Sequence, residues 1–144
     1  MHAPPGCPGG VLRTGKVRVF FSKAWYSMIM RKRRTVTGRL PYVRTTPGKQ
    51  LDDHAGHLAG DRFGGSGQLD NLVSQHWLVN LSSYKLLENE WYRAIRDGKT
   101  VGVSVYVEYA GDDLRPSAFS IEYTIDGEEH SKHITNDILG GLGL

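Results

Sequence analysis

A strict alternation between residues 100 and 109 predicts a β-strand with one buried face. Within the segment TVGVSVYVEY, valine occupies positions 101, 103, 105 and 107, and other residues fill the positions between them. Because successive side chains of a strand point to opposite faces, this period of two places the valines in a core. Two further strands are predicted at residues 117–125 and 128–135, joined by Asp126-Gly127, a pair typical of tight hairpin turns. The last third of the chain is therefore predicted to be an antiparallel β-meander, and the tail ILGGLGL after it is expected to be frayed.

An amphipathic helix is predicted directly before the meander, from about Ser82 to Gly98, with Ser82 or Ser83 as its N-cap. Apolar side chains recur there at spacings of three and four residues, which places them on one buried stripe. A short strand is predicted at residues 71–75, and residues 51–58 could end another. The order strand, loop, strand, helix and meander predicts an α+β domain. The stripe consists of Tyr84, Leu87, Trp91, Ala94 and Ile95.

Charge is divided very unevenly along the chain. Residues 1–50 contain eleven Lys and Arg and no acidic residue, whereas residues 51–144 contain seven Lys and Arg and fifteen Asp and Glu. Such an asymmetry indicates a polyanion, a membrane surface or an acidic protein as a partner. The run RKRR at residues 31–34 is either a solvated basic surface or a set of phosphate contacts.

Several classes of protein are excluded by composition. The single cysteine, Cys7, can form neither an internal disulfide nor a cysteine-based zinc site. No stretch reaches the ~20 apolar residues that a membrane span needs, and no clean signal peptide is recognised. We therefore expect no membrane insertion and no Sec-type signal.

Around the start of the predicted helix, three side chains that can form hydrogen bonds recur at a spacing of four residues. Asn80, Tyr84 and Glu88 would stack on one helix face. In one interpretation, Asn80 is a capping residue and Glu88 a solvated helix residue. In the other, Asn80 is an amide ligand of a hard cation such as Mg²⁺, and Glu88 holds a water of that cation.

A histidine-rich acidic segment, DDHAGH, precedes a glycine-rich loop. His57 could be a structural hydrogen-bonding residue, or a general base that activates water, since a neutral imidazole near pH 7 suits that role. His54 and His57 could alternatively bind a transition metal together with Asp53. The loop sequence GGSG is not followed by the residues of a phosphate-binding loop and is interpreted as a connector.

Three segments together resemble a known family. GHLAGDRFGGSGQLDNLVSQ, VNLSSYKLLENEW and RPSAFSIEYTIDG occur in the order found in the DNA/RNA non-specific endonucleases. Among these, the chain is most similar to the nuclease domains at the C-termini of polymorphic and type VII-secreted bacterial toxins. The resemblance covers roughly residues 39–135. It implies an α+β fold with the ββα-metal (His-Me finger) core of that superfamily, followed by an antiparallel β-meander.

The resemblance also implies roles for individual residues. His57 would be the general base, and Asn80 would be the sole protein ligand of Mg²⁺, or of Mn²⁺ in its place. Glu88 would position a metal-bound water, and Asn71 would support the site from the second strand. Two positions depart from the family pattern, since His54 stands where an Asp is usual and Ser74 where a Pro is usual. Contacts with substrate are expected from Arg62, Arg44 and Tyr84.

The implied function is metal-dependent hydrolysis of phosphodiester bonds in DNA, with RNA as an alternative substrate. By this resemblance the chain would be the toxin domain of a secreted antibacterial effector that acts in the cytoplasm of a target cell, with a cognate immunity or inhibitor protein as partner. We predict a nuclease domain at residues 39–144, preceded by a basic, Pro/Gly-rich segment at 1–38 that is partly disordered or a linker. The alternative is a non-catalytic, basic nucleic-acid-binding module.

Overall fold

The computed structural model describes residues 16–21, 45–60, 63, 67–69 and 71–144, and of residues 16–21 it describes the backbone alone. Six strands and two α-helices are found in this part of the chain, with a π-helical segment, Val79–Ser83, directly before the first helix. The strands are β1 (Lys16–Phe21), β2 (Asp53–His57), β3 (Leu72–His76), β4 (Val101–Tyr109), β5 (Pro116–Ile125) and β6 (Glu128–Thr135). The helices are α1 (Tyr84–Arg96) and α2 (Ile138–Gly141).

The predicted meander forms most of the larger sheet. Its four antiparallel strands lie in the order β1-β4-β5-β6. The valines of β4 are all buried, and the residues between them are more exposed, as the alternation requires. Strand β1 lies within the segment predicted to precede the nuclease domain, yet it pairs with β4. The boundary at residue 38 itself stays a prediction.

The turn between β5 and β6 has the backbone that the sequence pair Asp126-Gly127 favours. Both residues have positive φ, 49° and 83°, as in the type I′ turns that suit the twist of a hairpin. The Asp126 carboxylate also accepts a hydrogen bond from the Thr100 amide at 2.8 Å. This contact ties the turn to the residue that precedes β4.

The apolar stripe of α1 is buried as predicted and packs on the sheet through aromatic rings. Trp91 meets Tyr123 of β5 with ring centroids 5.7 Å apart, and Tyr84 meets Phe119 at 6.3 Å. Both pairs are edge-on, the arrangement favoured by the charge distribution of aromatic rings. These contacts fix the helix against the centre of the sheet.

The helical backbone begins earlier than expected. Ser82 or Ser83 was predicted to cap the helix, but helical turns start at Trp77 and continue through the π-helical segment. Ser83 itself has helical backbone angles and makes no capping hydrogen bond with its side chain. The prediction failed because it took hydroxyl residues for a boundary, whereas packing of the preceding turns extends the helix.

Strands β2 and β3 form a separate two-stranded antiparallel sheet, in register from Asp53 opposite His76 to His57 opposite Leu72. Every residue of β3 is buried. The helical unit follows β3 directly, so β2, β3 and α1 form a ββα unit. The predicted α+β fold, with a ββα core and an antiparallel meander, is confirmed.

The last residues were expected to fray, and this expectation was wrong. Residues 138–141 form α2, whose N-terminus is capped by the Asp137 carboxylate accepting from the Gly140 amide at 2.9 Å. Gly140 and Gly141 are buried, and α2 lies against the π-helical segment. None of the helices in the described part of the chain is long and apolar enough to cross a membrane.

Candidate active site

Three side chains of the helical unit meet β2 and the segment after it in consecutive order. Asn80 Nδ2 lies 3.1 Å from His54 Nδ1. One turn later the Tyr84 hydroxyl donates to the Leu58 carbonyl, and Glu88 lies beside Gly60. The predicted stacking of Asn80, Tyr84 and Glu88 on one helix face is thus reflected in their contacts, and His57 lies between the first and second of these contact points.

The backbone that follows His57 is fixed by Asn71. The Asn71 side chain accepts a hydrogen bond from the Ala59 amide at 2.9 Å and donates to the Ala59 carbonyl at 2.8 Å. The Asn71 carbonyl also accepts from the Leu58 amide at 2.9 Å. Asn71 is 1% exposed, so these hydrogen bonds are made where water cannot compete. The result is a rigid exit from β2.

His57 is the last residue of β2 and is partly buried, with its Nε2 atom shielded from solvent. It pairs with Leu72 across the hairpin. His57 therefore takes its position from the paired strand on one side and from the Asn71 contacts on the other.

The Glu88 carboxylate is held in a narrow position. Its side chain is 12% exposed, with Lys85 Nζ 3.9 Å from Oε2. A Cβ atom added at Gly60 would lie 2.9 Å from Oε2, closer than real Cβ contacts allow. An alanine at position 60 would therefore displace the carboxylate from this place.

A buried ion pair ties the hairpin to the meander. Arg115 Nε and Nη2 donate to the two carboxylate oxygens of Asp53 at 2.7 and 2.8 Å, and the Gln50 amide donates a third hydrogen bond at 2.9 Å. Burial alone would raise the pKa of Asp53, but the hydrogen bonds and charge of Arg115, with the Gln50 amide, outweigh it and lower the pKa below its ordinary value.

This pair also removes one proposed metal site. The Asp53 side chain is 0% exposed, and both of its oxygens accept hydrogen bonds from Arg115, so it is not available as a metal ligand. The hypothesis that Asp53, His54 and His57 bind a transition metal together is therefore wrong. Within the described ranges, no group of three or more His, Cys, Asp or Glu side chains is arranged to hold a metal ion.

Asn136 makes a second connection between the two sheets, which sequence reasoning missed. Its buried amide donates to the Ser74 and Pro116 carbonyls at 2.9 and 2.8 Å and accepts from the His76 amide at 2.8 Å. Arg115 was also given no role, although it opens the family-like segment RPSAFSIEYTIDG. That segment was the available signal for Arg115, whereas Asn136 had none.

Tyr84 was predicted to contact substrate, and the structure places it elsewhere. The residue is 0% exposed, and burial, followed by the charge of Glu88, raises its pKa well above the ordinary value. Tyr84 therefore anchors the helix to Leu58 instead of facing a ligand. The other two predicted substrate contacts, Arg44 and Arg62, lie outside the described residues.

The donors that remain fit a hard, hydrated cation. Asn80 offers an amide oxygen and Glu88 a carboxylate, both from one helix face, and oxygen donors are what Mg²⁺ and Mn²⁺ prefer. A site with so few protein groups suits a cation that keeps several waters. The close fit of the Glu88 carboxylate under Gly60 gives one of these donors a defined place.

Comparisons with known proteins identify the family of the chain. The family model for DNA/RNA non-specific endonuclease matches residues 18–127. The type VII secretion system protein EssD of Staphylococcus aureus, in strains USA300 and NCTC 8325, is 38% identical over 91 residues, covering 59% of this chain. The chain spans only 15% of the length of these relatives.

A solved structure of the Sda1 nuclease with bound zinc ion has the same fold. It superposes with a TM-score of 0.74 at 14% sequence identity, covering 94% of this chain and 74% of the other. The family model extends over most of the chain, including β2, β3, α1, β4 and β5. The chain therefore belongs to the DNA/RNA non-specific endonuclease family.

Proposed function

We propose that this domain hydrolyses phosphodiester bonds of DNA, with RNA as a second substrate, and requires Mg²⁺ or Mn²⁺. The observation that carries the proposal is the order of contacts along β2 and the segment after it. Asn80 contacts His54, which precedes His57 in the chain, and Glu88 contacts Gly60, which follows His57. One potential base and two oxygen donors are thus grouped at the end of a single strand.

His57 is the general base in this proposal. A neutral imidazole accepts a proton from water near pH 7, and the resulting hydroxide attacks the scissile phosphorus. Since Nε2 is shielded from solvent, we assign this role to Nδ1. The paired strand before His57 and the Asn71 hydrogen bonds after it keep the ring in place during proton transfer.

Asn80 would hold the cation through its amide oxygen, and Glu88 would orient a water bound to that cation. The cation supplies positive charge that stabilises the transition state and the leaving 3′-oxygen. The confined position of Glu88 under Gly60 supports an orienting role, because a carboxylate with little freedom directs a water at little entropic cost.

Asn71 supports the site by fixing the backbone of residues 58 and 59. Arg44 and Arg62 remain our candidates for phosphate contacts. Contacts with the nucleic-acid backbone carry no direct sequence information, so little sequence preference is expected.

The proposal is tested with purified domain and supercoiled plasmid in Mg²⁺, in Mn²⁺ and in EDTA, with single-stranded RNA in parallel. We expect cleavage in either metal, none in EDTA, and a large loss of rate in Asn80→Ala. Intact plasmid in every metal, or cleavage in EDTA at the full rate, would contradict it.

We further propose that the domain is the toxin part of a secreted antibacterial effector that acts in the cytoplasm of a target cell and is blocked by a cognate immunity protein. The 38% sequence identity to the EssD proteins of the type VII secretion system supports this role. Expression of wild type and His57→Ala in a bacterial cytoplasm tests it. Wild type should degrade the chromosome and stop growth, and equal growth of the two strains would contradict the toxin role.

A further inference from the structure

His54 lies next to the residue that we assign to the metal. It is exposed on β2, and its Nδ1 is 3.1 Å from Asn80 Nδ2. An amide nitrogen can only donate, so Nδ1 must present its lone pair to Asn80. With the amide in this orientation, the imidazole hydrogen is on Nε2, and the lone pair that faces Asn80 is one that can bind a metal.

The separation of these two atoms is that of neighbouring metal ligands. Two donors that each lie about 2.1 Å from one cation, with a right angle between the two bonds, are about 3.0 Å apart. A half-turn of the Asn80 amide exchanges its nitrogen for its oxygen at the same place. With the imidazole hydrogen kept on Nε2, the oxygen and Nδ1 would then both direct lone pairs to a cation placed between them.

Both residues are held on regular backbone. His54 lies within the paired strand β2, opposite Gln75, and Asn80 lies within the π-helical segment. Ligands on strands and helices keep their spacing better than ligands on loops. The site is also open to solvent on the His54 side, which leaves room for bound waters and a phosphate oxygen.

We propose that His54 is a second protein ligand of the cation beside Asn80. The inference rests on the proposed function in one respect, the assignment of Asn80 to the metal. An imidazole nitrogen adds little for Mg²⁺, which prefers oxygen, but it suits Mn²⁺, Co²⁺ and Ni²⁺. The pair His54 and Asn80 therefore makes this site bind transition-metal ions more tightly than an asparagine alone would.

Calorimetric titration of Ni²⁺ and of Mg²⁺ into tag-free protein tests the selectivity. We expect His54→Ala to lower Ni²⁺ affinity by about tenfold or more and to leave Mg²⁺ affinity nearly unchanged. The matched control is His133→Ala. It removes an exposed histidine of β6 that is paired with Glu108 of β4, and it should change neither affinity. Equal losses for both metals in His54→Ala would overturn the proposal, because His54 would then only orient Asn80.

Electron spin echo modulation of bound Mn²⁺ tests ligation directly and requires no catalysis. We expect a nitrogen signal in wild type that disappears in His54→Ala while Mn²⁺ still binds. Bound Mn²⁺ without a nitrogen signal in wild type would overturn the proposal, even if the plasmid is cleaved. A nitrogen signal in a protein that cleaves nothing would uphold this ligand and contradict the proposed hydrolysis.

Discussion

The meander and the β2–β3 hairpin are stabilised in different ways. The meander buries an alternating row of valines on β4 against Phe119 and Ile121 of β5. The hairpin also buries polar side chains, and some of these bind partners from distant segments, such as Arg115 for Asp53. Apolar burial positions the sheet, whereas specific hydrogen bonds position the strand that carries His57.

This difference separates stability from catalysis. A change in the meander should lower the free energy of unfolding and leave the geometry around His57 intact in the molecules that stay folded. A change in the polar contacts of the hairpin should lower both stability and the rate of cleavage. The predictions below test this separation, beginning with the largest expected change in stability.

Asp53→Ala should cost about 3–5 kcal/mol of the free energy of unfolding, because it leaves the buried Arg115 guanidinium without its carboxylate. The side chain of Asp53 is 0% exposed and that of Arg115 is 18% exposed, so water can replace little of the lost contact. The measurement is urea unfolding at pH 7, together with the rate of plasmid cleavage at a temperature where the variant is folded.

The control for this variant removes both partners. Asp53→Leu combined with Arg115→Met replaces the pair by apolar groups and should be much less destabilising than Asp53→Ala. If both variants lose equal stability, the charge left unpaired is not the cause, and the hairpin does not depend on the pair in the way we describe.

Ile121→Ala in the meander should cost about 2–5 kcal/mol, the range for deleting a buried branched side chain. Ile121 is 1% exposed, and its loss leaves a cavity distant in sequence from β2. Cleavage per folded molecule should stay close to wild type. A fall in the cleavage rate as large as that of Asp53→Ala would show that the two regions are not separable.

Acid should act on the hairpin through Asp53. Its pKa is lowered in the folded protein, so its contribution to stability is present above the unfolded value of about 3.9 and is lost as the pH falls through the lower folded value. The stability difference between wild type and Asp53→Asn should therefore shrink below about pH 4. Urea midpoints from pH 7 to pH 2 give this difference, and a constant value throughout would contradict the assignment.

Among these variants, Gly60→Ala should lower the stability least, but it should lower the rate of cleavage markedly. The added Cβ would press on the Glu88 carboxylate, and a displacement of up to about 1 Å at a catalytic site can cost roughly tenfold to hundredfold in rate. The melting temperature and the cleavage rate are measured together, with Gly98→Ala as the control. Its φ of 83° strains an alanine and should lower stability, but its added Cβ meets nothing within 4 Å, so cleavage per folded molecule should not change. An unchanged rate in Gly60→Ala would contradict the role of Glu88.

Much of the fold could be predicted because it depends on local periodicity. The alternation of β4, the stripe of α1 and the Asp126-Gly127 turn each specify their own structure within a few residues. The early start of the helix at Trp77 and the helix α2 were not predicted. Both depend on packing of the π-helical segment against α2, which no local pattern encodes.

The site was predictable in its residue types and less so in its contacts. The spacing of Asn80 and Glu88 placed them on one face, since helical spacing is a local property. The pairing of Asp53 with Arg115 joins residues 62 positions apart, and the burial of Tyr84 depends on the sheet above it. The contact of His54 with Asn80 likewise arises only when β2 and the helical segment come together.

The central claim is that His57 supplies the base from the end of β2, and the single-turnover rate of plasmid cleavage by His57→Ala tests it most directly. Wild type and variant are compared at saturating Mg²⁺, at a temperature where the unfolding curves show both to be folded. We predict a loss of about 10²–10⁴-fold, the contribution of a positioned general base. Cleavage by His57→Ala at the wild-type rate would contradict the claim.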